Sequence, residues 1–595
     1  VIIGKRLWNL LAACLVAVSP LCALQVEHLA GLRPGSEAVA ALFDEAGADR
    51  DALGGLSSLL MRRAIEAERA RSADVDDWWT LHRWAEFLGR EVNEEMDRWA
   101  KALSASRSNL RVFGSRRVAP GSTLAGLVSA QVRAALVRDP AFVASFLQNL
   151  NDLDDSYTVF RTIGRFEEEV PGWRQEFREL GIAIAVVYDV EEVPGWWPHA
   201  QVAPHMIDRR LPDAVEVLRR WEQSAAAGSL ALDPRRQQAE DLRFAVISLL
   251  TEEDRAWAAR TIRSNLGSLG DLYDMIPYDH DRIRRNQYQW PHADYRLSTI
   301  LASGGICVDQ SFFGSEIAKS LGVPAIIFAG QGADARHAWF AYLNGTRGWR
   351  LDVGRGSDAR LVTGVAIDPQ TWTELTDHEV AFLAERFRQS PRYREARRLS
   401  EMAATLRVLG EIRDSEAFAR RAIAADRRIV PAWEILLGLS EGRSPRERAN
   451  LASEAARAFI RYPDLEVLFG LRAIDVLFEA GETPAAEAEE RRLLRKNQNS
   501  RPDLSVHLAR QMLDRSVDRR GDGGRRTFEQ ILLIFGNSGG ISVFDWIVRP
   551  YVERLQPSDP AGARRALELA RRHLRPERGS QLDVELAQLE ASVGR

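Results

Sequence analysis

At 595 residues the chain is long for one domain and is expected to hold several. Hydrophobic residues make up 45% and charged residues 28%, ordinary proportions for soluble globular protein. A formal net charge of −4 gives no reason to expect nucleic acid or an acidic membrane surface as a partner.

The first segment, 1–23, reads as an export signal. Lys5 and Arg6 form a positive start, Leu7 to Val18 is apolar, and Ser19 to Ala23 holds a candidate cleavage site. The apolar run is short for a transmembrane helix, so no membrane span is expected after signal removal. The expected location is exported, periplasmic or cell envelope. Two alternatives stay open: a lipid anchor at Cys14, in Leu11-Ala12-Ala13-Cys14, and an uncleaved N-terminal anchor. The cysteines are Cys14, Cys22 and Cys307. A chain cut after Ala23 keeps Cys307 alone, which rules out a disulfide framework. No Cys/His cluster has zinc spacing, and no glycine pattern for phosphate or dinucleotide binding stands in a strand-to-helix setting. Neither metal nor cofactor is expected.

Residues 24–235 read as an α-helical N-terminal region. Ala38 to Ala46, Leu56 to Ala70, Trp78 to Leu103 and Leu124 to Leu150 show helical apolar spacing. Gly181 to Tyr188 is apolar throughout, and periodicity cannot assign it to helix or strand. It leads to an aromatic, proline-punctuated loop at Val193 to His199, which either lines a cleft or plugs a gap between domains.

Residues 236–392 hold the chemistry. Asp241 to Leu269 reads as helix, and Tyr273 to Arg296 is polar and aromatic. Gly304-Gly305 break the chain, and Cys307 opens an apolar helix with Phe313, Ile317 and Leu321 on one face. Gly322 stands where a C-terminal glycine cap belongs, and Pro324 prevents resumption. Three strands follow, at Ala325 to Ala329, Arg336 to Leu343 and Gly348 to Val353, with Asn344-Gly345 as a hairpin turn. A two-residue loop there would set Asp352 directly across from His337, about 4.5–5.5 Å between Cβ atoms. A thiol at a helix start is biased toward thiolate by the helix dipole and by a protonated imidazole. Cys307, His337 and Asp352 thus supply a nucleophile, a base and an orienter. Asp334 is a weaker rival for the orienting role. Trp339 shares the face of His337 and either walls a substrate cleft or packs.

This segment resembles the transglutaminase-like superfamily. The carrying motifs are Gly305-Ile306-Cys307, Leu321-Gly322-Val323-Pro324-Ala325, His337-Ala338-Trp339 and Trp349-Arg350-Leu351-Asp352. They cover about a tenth of the chain. One departure is Ile326, where many members carry an arginine. The resemblance implies an α+β domain of papain-type logic and thiol-mediated acyl transfer on peptide or glutamine-type amides. It also implies a second oxyanion donor before the cysteine, for which Gln287, Gln289 and Trp290 are candidates beside the Cys307 amide. Trp290 is also a candidate wall of the substrate cleft. Prokaryotic relatives are more often hydrolytic, so a peptidase or amidase is expected ahead of an amine-accepting cross-linker or a non-catalytic scaffold.

Residues 393–595 become Ala/Leu/Arg/Glu-rich helices. Ala417 to Ala425 followed by Pro431-Ala432-Trp433 resembles a tetratricopeptide unit, and Pro463 and Pro502 punctuate again. The expectation is an irregular helical repeat that either docks a protein partner or buttresses the rest. The whole is expected to be α+β: mostly helical, with one central α+β domain acting on a protein or peptide substrate.

Overall fold

The computed structural model describes residues 29, 31–106, 117–193, 199–331, 335–345, 348–356, 363–497, 501–517, 523–535 and 540–593. The segment 1–23 expected to be an export signal, Trp196, Trp197 and Asp334 lie outside them. The chain is mostly helical and carries one small antiparallel sheet, an α+β composition. The sheet has five strands: β1 (Ala325–Gln331), β2 (Arg336–Leu343), β3 (Trp349–Val353), β4 (Val365–Ile367) and β5 (Glu374–Thr376). Their order is β3-β2-β1-β4-β5, with Ala329 opposite Val365. By its contacts the chain divides into two units. One comprises Val1–Ile326, Ala341–Arg350 and Ile367–Glu374; the other comprises Ile327–Phe340, Leu351–Ala366 and Leu375–Arg595.

In the first unit, helix starts follow local chemistry. Ser36, Asp49, Ser129, Asp139, Asp155, Asp213 and Thr251 each accept a backbone N–H of the helix they precede. Three expected long helices are broken. Trp78 to Leu103 splits into Val75–Leu88 and Val92–Ser106. Between them the chain pairs with Ser122 to Leu124 through Val92 N–H to Ser122 O and Leu124 N–H to Arg90 O. Leu124 to Leu150 splits at Asp139-Pro140, an N-cap followed by a proline at the first helical position. Asp241 to Leu269 likewise stops at Val246 and restarts at Glu252 behind the Thr251 cap.

The ambiguous run is a helix, Arg178–Val187, and Leu180 to Val187 are all buried. A helix buried on every side has no polar face, so its sequence carries no period. Gly181 makes that burial possible, since a Cβ there would lie 2.2 Å from the Trp173 ring. In the same unit Trp84, Phe87, Phe146 and Phe160 cluster, their rings meeting mostly edge to face at 5.3–6.3 Å.

The same unit encloses an acid pair. Asp154 accepts from Asn151 N–H and from Gln370 Nε2, and Asp189 Oδ2 accepts from Asp155 N–H at 2.7 Å. Asp189 Oδ1 is buried with no hydrogen-bond partner among the described residues. Burial first, and then the neighbouring Asp154 carboxylate, hold Asp189 well above the usual carboxylate range. The folded state therefore keeps a proton that the unfolded chain releases, and stability falls as pH rises past the ordinary carboxylate value. Asp189→Asn is expected to stabilise the protein by about 1–3 kcal/mol at neutral pH. That gain should vanish on acidification, when both states are protonated. Urea titrations of both proteins at neutral and acid pH check this.

In the second unit many of the C-terminal helices begin at prolines: Pro391, Pro431, Pro445, Pro463, Pro502 and Pro560 lie at first or second helical positions. Successive helices bury small layered clusters, such as Trp433 with Phe459 and Phe469, and Phe528 with Leu532, Ile547 and Leu567. Among the described residues no helix is long and apolar enough to cross a membrane.

Candidate active site

The cysteine helix spans Cys307–Ser320, and its lead-in requires glycine twice. Gly304 has φ +76°, and a Cβ there would stand 2.6 Å from Pro277 O. A Cβ on Gly305 would stand 2.5 Å from the Asp309 Cβ. Freed of side chains, the segment pairs in parallel with Pro277 to Asp279. Gly305 N–H donates to Pro277 O and Asp279 N–H donates to Gly305 O, both at 2.9 Å.

Asp309 then fixes the first turn. It is fully buried and accepts from Ile306 N–H at 2.8 Å, Tyr295 Oη at 2.7 Å and Arg282 Nη1 at 2.7 Å. Burial pushes its carboxyl up while Arg282 pulls it back. Arg282 is buried too, donates to Tyr288 O and Gln287 O, and lies over the Trp290 ring at 5.4 Å. The polar, aromatic stretch before the cysteine is thus wound around one buried ion pair. Gln310 Nε2 adds a bond to Ile276 O at 2.8 Å.

Cys307 is a partly exposed cysteine outside any disulfide, at the first helical position. Its amide belongs to those that a helix leaves without an intrahelical acceptor. Two phenols feel its charge. Tyr273 is raised by burial first and then by Cys307; Tyr278, by the same causes, is pushed up to about 12. Both are neutral O–H donors at physiological pH. Tyr278 is 37% exposed and so open to a ligand. Neither phenol was marked by sequence pattern.

The imidazole belongs to the second unit. His337 is partly exposed near the start of β2, its ring 6.1 Å from that of Trp339 at 26°. Its Nε2 lies 2.6 Å from Gly354 O. A carbonyl only accepts, so Nε2 carries the proton and Nδ1 holds the lone pair of the neutral ring.

The hairpin differs from the expected two-residue turn. Asn344 N–H donates to Gly348 O at 2.9 Å, and Gly348 N–H returns to Gly345 O at 3.3 Å. Asn344 thus faces Gly348, three positions off the register that pairs Leu343 with Thr346. An odd shift turns side chains to the other face. Side-chain contacts agree: Tyr342 Oη reaches Leu266 O, and the Arg350 guanidinium lies against Gly270. Even-numbered residues of both strands therefore share one side, and His337 with Trp339 takes the other. Asp352 is exposed on β3. The Gly354 carbonyl is an acceptor for the imidazole Nε2–H.

The expected tryptophan walls are also corrected. Trp339 is fully buried and donates Nε1–H to Leu351 O at 3.0 Å. It fits because Gly330 and Gly364 carry no Cβ, which would meet its ring at 2.7 and 2.5 Å. Trp290 is 5% exposed and donates to Asp294 O at 2.6 Å. Both rings are packing elements, and the Trp290 N–H is committed, so it is not an oxyanion donor. Gln287 and Gln289 are exposed.

No group of His, Cys, Asp and Glu among the described residues is arranged to hold a metal ion. No protein-family model, no curated protein and no solved structure matches this chain.

Proposed function

We propose that the chain is a cysteine amidase or peptidase of transglutaminase-like type, with Cys307 as nucleophile and His337 as base. The Cys307 sulfur attacks an amide carbonyl carbon, forming an S–C bond and moving the electron pair to oxygen. The Cys307 amide and the Tyr278 hydroxyl are the donors to that oxyanion. Collapse breaks the C–N bond, and the amine leaves with the proton His337 took from the thiol. Water, deprotonated by His337, then attacks the thioester and restores the thiol.

The observation that supports this reading is the bond between His337 Nε2–H and Gly354 O at 2.6 Å, which fixes the orientation of the ring and puts the proton of the neutral imidazole on Nε2. Hydrolysis is favoured over cross-linking because neither Trp339 nor Trp290 offers an exposed ring to hold water off an acyl-enzyme.

Iodoacetamide should alkylate Cys307 in the folded protein well below the free-thiol value of about 8.5. Glutamine-containing peptides should be deamidated or cleaved, with added primary amine entering only as a minor product by mass spectrometry. Labelling that needs denaturant would overturn the nucleophile assignment. Dominant amine incorporation would keep the thiol chemistry and replace hydrolysis with cross-linking.

A further inference from the structure

Arg336 immediately precedes His337 and opens β2. Its guanidinium donates to both carboxylate oxygens of Asp545 at 3.0 Å and to Glu585. Its backbone N–H donates to Gln581 Oε1 at 3.0 Å. The first amide of the strand that carries the imidazole is therefore held by a helix nearly 250 residues downstream, Gln581–Val593. Asp545 also accepts from Gln331 Nε2 at 2.7 Å, and Gln331 Oε1 in turn accepts from Ser542 Oγ. One carboxylate thus ties the last residue of β1 to the first of β2. Glu585 is shared with Arg549 and braced by Gln581 Nε2.

Asp545 sits in an unusual piece of backbone. Phe544–Val548 is a single π-helical turn within an otherwise α-helical run, a conformation that is rare and gathers at functional positions. The turn aims Asp545 at the strand ends while Phe544, Ile547 and Val548 stay in the core.

We propose that Asp545, Glu585 and Gln581 form a polar latch, acting through Arg336, by which the C-terminal helices set the position of the His337 imidazole. This rests on the reading of His337 as the base. It makes the helical region a control element of the site rather than a passive neighbour. Arg336, Asp545 and Glu585 are positioning residues: none needs to touch substrate. The latch is charge-based and partly exposed, with Arg336 at 41%, so salt loosens it.

The test reads His337 directly in the full-length protein. Diethyl pyrocarbonate labelling is followed by mass spectrometry of the His337 peptide across pH, with His573 as internal control. In Asp545→Asn/Glu585→Gln and in Arg336→Met the His337 labelling rate should change by ~3–10-fold and its pH midpoint should move, while His573 is unaffected. Arg336→Lys should recover part of the wild-type profile. Should the variants misfold, wild-type protein in about 1 M salt, where the Debye length is ~3 Å, should show the same shift. Profiles that superimpose on wild type in every variant and in salt overturn the latch. With a substrate in hand, kcat should fall while KM holds. If the labelling shifts but no amide is ever turned over, the latch stands and the acyl-transfer reading fails.

Discussion

Asp309→Ala is expected to destabilise the protein by about 3–5 kcal/mol. The carboxylate is the acceptor of three donors: Arg282 Nη1, Tyr295 Oη and Ile306 N–H. Removing it strands a guanidinium that is 4% exposed and orphans two further buried groups. Deleting both charges should hurt less than deleting one, because a buried ion pair recovers little more than its own desolvation. Asp309→Leu combined with Arg282→Met is thus expected to be more stable than Asp309→Ala. Urea midpoints with unchanged slopes check this. A loss under about 1 kcal/mol for Asp309→Ala would mean that water reaches Arg282 and that the pair does not organise the cysteine turn.

His337→Ala should lower amide turnover by ~10²–10⁴-fold, the range for loss of a positioned general base. Asp352→Asn should change it less than about threefold, because the Nε2–H of the imidazole is already held by Gly354 O. The two substitutions separate the register observed here from the one a two-residue turn would impose. A collapse of turnover in Asp352→Asn, with the fold intact by circular dichroism, would show that the aspartate orients the imidazole after all.

Much of the site's scaffold was legible in the sequence because its signals are local. Gly304-Gly305 and Gly322 with Pro324 bound the cysteine helix within a residue of its observed ends. β1, β2 and β3 followed from apolar runs between turn residues, whereas β4 and β5, three residues each, are too short to carry a period. The hairpin register was not legible. Asn-Gly favours a two-residue turn, but the chain closes at Gly348, itself in a left-handed conformation with φ +84°. Burial of Trp339 and Trp290 was likewise invisible, since whether an aromatic lines a cleft or fills a core is decided by residues far away in sequence. The Arg282–Asp309 pair left one sign: an acid at the third helical position, the place from which it can reach back to the N-cap amide. The split at Asp139-Pro140 was also written in the sequence, as a cap and a first-turn proline inside an apolar period.

The interleaving of the two units bears on how the protein is made. The chain leaves the first unit after Ile326 and returns to it twice, at Ala341–Arg350 and Ile367–Glu374. Those returns are not decorative. Trp349 stacks edge to face on Phe244 and donates to Asp241, and Gln370 supplies the amide that satisfies Asp154. Gln370 follows Asp154 by 216 residues. At about 5–20 residues per second the nascent N-terminal helices wait on the order of 10–40 s for that donor to be synthesised. A polypeptide ending at Ile326 would keep the cysteine helix yet leave the acid pair and the Phe244 face uncovered. The first unit therefore completes only when the ribosome has passed beyond β3 and β4.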